Sequence, residues 1–335
     1  MHPRMAWEFD DVDLKAHLHM QAEWDQAFVD RHFHARHGLR GQRKLLLSNL
    51  LAVTLAVEDM QQKNDTRKLQ VVIAGASPGI HLPVLMRHLQ TSNIAHRLEI
   101  HLFDPKPLDR SVARVVRACD HASFTRGKFQ DSDAQAWRER DASTHCLLFL
   151  SDIRSDIHGK KQHSRVDEEK IDGDMHRQKQ WVETMQPEYS MLKFHAQHAT
   201  PDNPSIAPSF IHLAGDLYKQ ADTDLFSAEL RLFVKQADIK DKEYSTVGIE
   251  RHMFFHNQTL RPTTFSVLHG SKLMQFDEAF QLHVAQRAER VLELDGDRLL
   301  AEACAKLPVD HIDFTWTPRV CTRLQGMLRT VQKHM

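Results

Sequence analysis

Two lysines and two carboxylates, Lys44, Asp152, Lys193 and Glu229, are spread over most of a 335-residue chain, yet each stands at a comparable place in its local pattern. Asp152 closes the apolar run Cys146-Leu-Leu-Phe-Leu-Ser-Asp, and Glu229 lies at the start of Ser227-Ala-Glu-Leu-Arg-Leu-Phe-Val, so both acids belong to strand ends. Lys193 sits in Tyr189-Ser-Met-Leu-Lys-Phe-His, and Lys44 falls in the first turn of a mostly apolar helix that starts near Gln42. If the strands form a parallel sheet, the four groups converge at one rim. Two amines and two acids together make a proton-handling site, because a second cation beside a lysine lowers its pKa and leaves part of it neutral. By residue type alone, the same four could equally be two unrelated salt bridges.

The elements needed to bring them together are legible. Leu69-Gln-Val-Val-Ile-Ala-Gly reads as a strand ending in glycine, followed by an apolar helix over His81–Leu89 with Pro83 in its first turn, where a missing amide proton costs little. Leu98–Asp104, Ala122–Phe129 and Cys146–Asp152 repeat the strand pattern, with helices over Arg110–Cys119 and Ala134–Arg140 between them. This alternation predicts an α/β fold, with a central mostly parallel sheet and helices on both faces. Arg154–Lys170 is polar and reads as a loop. Ile171–Met185 follows as a helix, and Tyr189–His195, Phe210–Ala214 and Phe226–Val234 as strands. Residues 12–37 read as an amphipathic helix, and from Phe265 onward the pattern is again helical. The expected organisation is an N-terminal helical segment (1–40), a central domain (41–264) and a C-terminal helical extension packed on it (265–335).

Bulk properties narrow the function classes. With 41% apolar residues the chain can build a sizeable core. Its formal net charge of −1 leaves any nucleic-acid contact to local basic surfaces, such as Arg31–Lys44 and Arg154–Arg177. The four cysteines show no Cys-x-x-Cys spacing, so free thiols in a reducing compartment are expected. The 24 histidines form no convincing ligand set, and no metal is expected. The sequence has neither a signal-peptide stretch nor an apolar run approaching the roughly 20 residues of a membrane span, so an intracellular protein without a membrane anchor is expected.

Gly75-Ala-Ser-Pro-Gly79, at the first strand-to-helix turn, lacks the G-x-G-x-x-G spacing of a dinucleotide site and the Gly-Lys-Ser/Thr ending of a phosphate loop. A glycine turn there lets backbone approach a ligand, and Asp104 at the end of the second strand can accept hydrogen bonds from two ribose hydroxyls. That arrangement fits S-adenosylmethionine, although many α/β folds have a glycine and an acid in these places.

Five segments, in one order, carry a family likeness: Gly41-Gln-Arg-Lys-Leu-Leu-Leu, Val71-Val-Ile-Ala-Gly-Ala-Ser-Pro-Gly-Ile-His, Leu150-Ser-Asp-Ile-Arg-Ser, Leu192-Lys-Phe and Ser227-Ala-Glu-Leu-Arg-Leu. With Glu250-Arg-His-Met-Phe-Phe-His-Asn, they resemble the poxvirus cap-specific mRNA 2'-O-methyltransferases that also serve as poly(A) polymerase regulatory subunits. The resemblance spans roughly residues 40–260. It implies a Rossmann-like methyltransferase with Lys44, Asp152, Lys193 and Glu229 as the catalytic set, and S-adenosylmethionine held by Gln42, Gly75, Ser77, Pro78, Gly79, His81 and Asp104. Lys106 stands where the family has an arginine, and Phe129 and Gln130 would neighbour the adenine. For the methylated guanine of the cap it implies Glu250 as one acid, with Phe226, beside Ser227, in place of a pocket tyrosine. Asp202 and Trp24 are candidates for the second acid and a stacking ring. Arg154, Lys160, Lys161 and Arg177, from the basic segments, are candidates for the RNA backbone.

The expected reaction is methyl transfer to a ribose 2'-hydroxyl at the capped 5' end of mRNA. Two alternatives stand beside it: 2'-O-methylation of internal leader or structural RNA without cap dependence, and a stimulatory RNA-binding subunit of an RNA polymerase or poly(A) polymerase. Expected partners are capped mRNA and a poly(A) polymerase or capping-enzyme subunit. A cytoplasmic location goes with them, in a viral factory or virion if the source is viral; a cellular source would also admit the nucleus.

Overall fold

The computed structural model describes residues 38–155, 165–197, 207–223, 227, 229–257, 261, 266–267, 273–274 and 276–307. Helix α1 (Gly38–Gln62) leads into β1 (Lys68–Ala74), α2 (Leu82–Gln90), β2 (Leu98–Asp104), α3 (Arg110–Arg117), β3 (Ala122–Arg126), α4 (Asp131–Arg138) and β4 (His145–Ser151). Then come α5 (Arg165–Met185), β5 (Tyr189–His195), β6 (Ser209–Leu213), β7 (Asp216–Tyr218), β8 (Glu229–Lys235), β9 (Asp241–Ser245), α6 (Thr246–Phe255), α7 (Phe276–Leu292) and α8 (Gly296–Lys306).

Seven strands form one sheet in the order β3-β2-β1-β4-β5-β8-β7. Strands β1 to β5 pair in parallel, as the alternating pattern predicts. β8 runs antiparallel to both β5 and β7, and this reversal puts its first residue, Glu229, at the same rim as the last residues of β4 and β5. β6 and β9 pair separately as a two-stranded ribbon.

The apolar strand runs sort by the two-residue period onto two buried faces. Leu69, Val71 and Ile73 of β1 and Cys146, Leu148 and Leu150 of β4 pack with α1, α2, α7 and α8. Val72, Ala74, Leu147 and Phe149 face the other way, against Trp181, Val182 and Met185 of α5 and Ala134 of α4. Phe280, Val284 and Ala288 of α7 share the first cluster, and Gln61 Nε2 donates to the Val291 carbonyl at 3.0 Å. Helices late in the chain therefore pack directly on α1.

The structure revises several expected boundaries. α1 begins at Gly38, so Lys44 lies in its second turn; Gly41 is tolerated inside the helix, with nothing among the described residues within 4 Å of where a Cβ would stand. The charged stretch after Arg154 turns helical from Arg165, because Asp167-Glu-Glu-Lys combines good helix formers with acids near the N-terminus. β3 ends at Arg126, short of Phe129. The short strand β7, the strand β9 and helix α6 are additional to the expected elements, and Ser266–Val267 pairs antiparallel with Leu273–Met274 where helix is expected from Phe265 onward. The helices expected at 12–37 and Arg319–Lys333 lie outside the described residues. Among the described residues no helix is long and apolar enough to cross a membrane.

Candidate active site

The sheet geometry brings Lys44, Asp152, Lys193 and Glu229 into one ionic cluster. On β5, Tyr189 and Met191 point to the α1 face, so Lys193, two residues on, does too; Glu229 and Arg231 share that face on β8. α1 crosses above, and Lys44 Nζ meets Glu229 Oε1 at 2.5 Å. Asp152 follows the last residue of β4, and Lys193 Nζ lies 3.1 Å from its Oδ1 and 3.4 Å from Glu229 Oε2.

Two further cations complete the cluster. Arg231, only 3% exposed, donates from Nη2 to Asp152 Oδ1 at 2.7 Å and lies 3.4 Å from Glu229 Oε1, while its Nε donates to Gln220 Oε1 at 2.8 Å. Arg231 is not among the residues expected from sequence, although Glu229 and Arg231 are charged residues two apart on an otherwise apolar strand and so share a face. Arg154 Nη2 lies 3.3 Å from Glu229 Oε2. Expected on the RNA backbone, Arg154 is thus part of the ionic cluster itself.

The electrostatics are lopsided. Burial would raise Asp152, but Lys193, Arg231 and Lys44 outweigh it and hold the carboxyl at about 2. Glu229 is likewise held well below its ordinary range: burial opposes ionisation, and Lys193, Lys44, Arg231 and Arg154 overcome it. Burial pulls Lys193 below the usual lysine range despite the two carboxylates, with Arg154 and Lys44 pulling the same way. Four cations thus surround two ionised acids, and Lys193 is pulled below the ordinary lysine range.

The glycine turn lies beside this cluster. Gly75 has φ +88°, and a Cβ there would sit 2.8 Å from the Asp152 carbonyl carbon. The approach that demands glycine is therefore made by the chain's own segment after β4, whose Asp152 N–H donates to the Ala74 carbonyl at 2.9 Å. Asp104 accepts from Ser77 N–H at 2.9 Å and from Lys106 N–H at 2.7 Å, one bond to each oxygen. One acceptor position per oxygen stays available, enough for two ribose hydroxyls. Pro78 follows a cis peptide bond, Gly79 also has positive φ, and Ser77 Oγ donates to the Pro107 carbonyl.

Gln42 and His81 belong to the wall behind the turn. His81 Nδ1 donates to Gln42 Oε1 at 3.0 Å, and His81 Nε2 accepts from Asn49 Nδ2 at 3.1 Å. That pairing requires a neutral ring, and burial lowers His81 to about 4. A small cavity lined by Ser48, Asn49, Gly75, His81, Asp152 and Arg231 joins this wall to the ionic cluster. The acceptor capacity of Asp104 fits the ribose of an adenosine-bearing cofactor. Phe129 is a core residue, in ring contact with Phe103, Phe149 and Trp181, whereas Gln130 is exposed at the start of α4.

Of the residues expected at the cap, Glu250 lies on α6, and Ser227 Oγ accepts from Glu229 N–H at 3.1 Å. Asn257, two residues past the end of α6, donates from Nδ2 to the Ser227 carbonyl at 2.8 Å, two positions before β8. Phe226, Trp24, Asp202, Lys160 and Lys161 lie outside the described residues. Arg177 is exposed on α5, 3.4 Å from Asp174.

The family model for the poly(A) polymerase regulatory subunit matches residues 12–281, most of the chain. The chain belongs to that family. As a regulatory-subunit family member it has the seven-stranded α/β sheet described above. Among solved structures it is similar to bluetongue virus VP4, described as a multifunctional RNA-capping production line, at 13% identity and a TM-score of 0.43. That match covers 62% of this chain and 30% of the other, so the chain spans less than a third of that protein. No curated protein matches it in sequence.

Proposed function

We propose that this protein transfers a methyl group from S-adenosylmethionine to a ribose 2'-hydroxyl at the capped 5' end of mRNA. The observation that carries the reading is Lys193, largely enclosed between Asp152 and Glu229 and crowded by Lys44, Arg231 and Arg154. Gly75, Ser77, Asp104 and the wall of Gln42 and His81 would hold the cofactor. When bound, S-adenosylmethionine supplies a methyl group on a positively charged sulfur. A ribose hydroxyl is a poor nucleophile at neutral pH, so the chain's task is to align its oxygen and handle its proton.

Lys193 Nζ is the group for that task. Its lowered pKa makes the neutral amine accessible, and Asp152 and Glu229 are in place to stabilise the ammonium once the hydroxyl proton has moved to it. Lys44 and Arg231 fix the two carboxylates so that they point at Lys193. Glu250, Ser227 and Phe226 are proposed for the methylated guanine, with Trp24 and Asp202 beside it.

The test is methyl incorporation into short RNAs that are capped, uncapped, or capped and already 2'-O-methylated. Transfer to the capped acceptor alone is expected. Equal transfer to uncapped RNA would replace the cap-specific reading with methylation of leader or structural RNA.

The family's description supports a second role, as the regulatory partner of a poly(A) polymerase. Co-purification with a polymerase subunit and faster tail elongation are expected; neither occurring would remove that role.

A further inference from the structure

The last residues of β5 extend past the end of their neighbour. β4 pairs with β5 only as far as Ser151 and Leu192, after which the chain turns away to place Asp152. Among the described residues, the backbone groups of Lys193 and His195 that point towards β4 therefore lie beyond its strand pairing. Helix α5 replaces it. Gln178, 1% exposed, accepts the Lys193 N–H on Oε1 at 3.2 Å and donates from Nε2 to the Lys193 carbonyl at 3.3 Å. Two residues on, as the strand period requires, the His195 N–H donates to Met175 Sδ at 3.2 Å. A primary amide offering one acceptor and one donor reproduces the bonding of the missing strand.

One helical turn before Gln178, Asp174 holds the segment that left. Asp174, 4% exposed, accepts Ser155 N–H at 2.5 Å and Ser155 Oγ–H at 2.8 Å. The separation between the strand bearing Lys193 and the segment bearing Asp152 and Arg154 is thus spanned by two side chains one turn apart on one helix.

We propose that Gln178 and Asp174 are positioning residues that set the distance between Lys193 and Asp152, and with it how tightly Lys193 holds its proton. The proposal rests on Lys193 being the proton-handling group. Loss of the Gln178 clamp lets the end of β5 move towards water. That solvates the ammonium and raises the pKa of Lys193 towards that of an ordinary lysine.

The experiment uses the full chain with Gln178→Met, which keeps the side chain's length and removes its amide, and Asp174→Asn as a second variant. Lys193 is titrated by competitive acylation followed by peptide mass spectrometry, independently of any methyl transfer, and kcat, KM and the pH profile are measured in parallel. Expected for Gln178→Met are a labelling midpoint and a pH–rate midpoint that both move to higher pH. With them should come a kcat about 10–100-fold lower, at nearly unchanged KM for RNA and cofactor. Asp174→Asn, which still accepts from Ser155 N–H, should move in the same direction by less. Wild-type labelling midpoints in both variants, or losses that merely track the fraction of unfolded protein, overturn the proposal. A shifted midpoint in a chain that methylates no RNA leaves the clamp standing and removes the proposed reaction instead.

Discussion

The same three elements, α1, β5 and β8, carry an ionic cluster at each end of the sheet, and the two clusters are built to opposite rules. At the far end from the candidate site, Asp59 of α1 accepts from the Tyr189 hydroxyl at 2.6 Å and from Lys235 Nζ at 2.7 Å, with Lys63 at 2.6 Å. Its cations reach solvent, with side chains 41% and 63% exposed, and the third partner is a neutral phenol. At the other end two carboxylates meet four cations, and the side chains of Arg231, Lys193 and Lys44 are 4%, 11% and 14% exposed. Burial raises Asp59 while Lys235, Lys63 and Tyr189 bring it down to about 2, much as Asp152 is held. The acids look alike; the cations distinguish the two ends. The Asp59 cluster leaves its lysines in water, where charge is cheap, whereas the other encloses an amine whose pKa is pulled below its usual range, which costs stability.

The comparison breaks most visibly at Lys193. Lys193→Ala should lower methyl transfer about 10²–10⁴-fold, measured at saturating RNA and cofactor, while the thermal midpoint stays level or rises because a desolvated amine has been removed. Full activity in that variant would reduce the cluster to a pair of salt bridges.

Asp59→Asn tests the opposite end. It should cost about 1–2 kcal/mol of unfolding free energy at pH 7 and leave kcat per folded molecule unchanged. Because the native Asp59 pKa is depressed, that stability is present above the ordinary carboxylate range and lost as pH falls towards 2. Denaturant melts of both chains should therefore converge in acid; a difference that persists at pH 2 would assign the effect to packing.

The smallest effect is expected at Asp222, on the loop between β7 and β8 near the Glu229 rim. Burial, then Asp277, raises it to about 6, although Arg43, Arg261 and Arg40 oppose this, and Gln281 Nε2 donates to its Oδ2 at 3.1 Å. The native acid holds its proton more tightly than the unfolded one, so stability falls as pH rises from about 4 to about 6 and then levels. Asp222→Asn should remove that slope and stabilise by about 1 kcal/mol at pH 7, with no gain at pH 4. Thermal melts across that range check it.

The sheet and its charged rim are legible because buried strands announce themselves as apolar runs, and a charge ending such a run has few places to go. Asp152, Lys193 and Glu229 could be read that way. Arg231 was missed because it hides within the apolar run, where its meaning depends on Glu229 sharing its face. The reversal of β8 left no local mark, since an apolar run reads the same in either direction. Gly75 was legible as a turn but not as to what approaches it, which proves to be the backbone of Asp152. The burial of Phe129 was equally out of reach, because it depends on rings from three other elements.

That β8 lies between β5 and β7 also has a consequence in time. Lys44 and its partner Glu229 are separated by 185 positions. A growing chain displays the glycine turn, Asp104 and α1 long before the residues that neutralise Lys44 have been synthesised. Up to that point it can assemble the turn at Gly75 and the wall of Gln42 and His81 but not the ionic cluster. Closing the sheet across so long a separation is entropically slow compared with forming the local helices. The ionic cluster therefore closes as one of the last events of folding, and any product cut short before β8 would carry Lys44 without its partner Glu229.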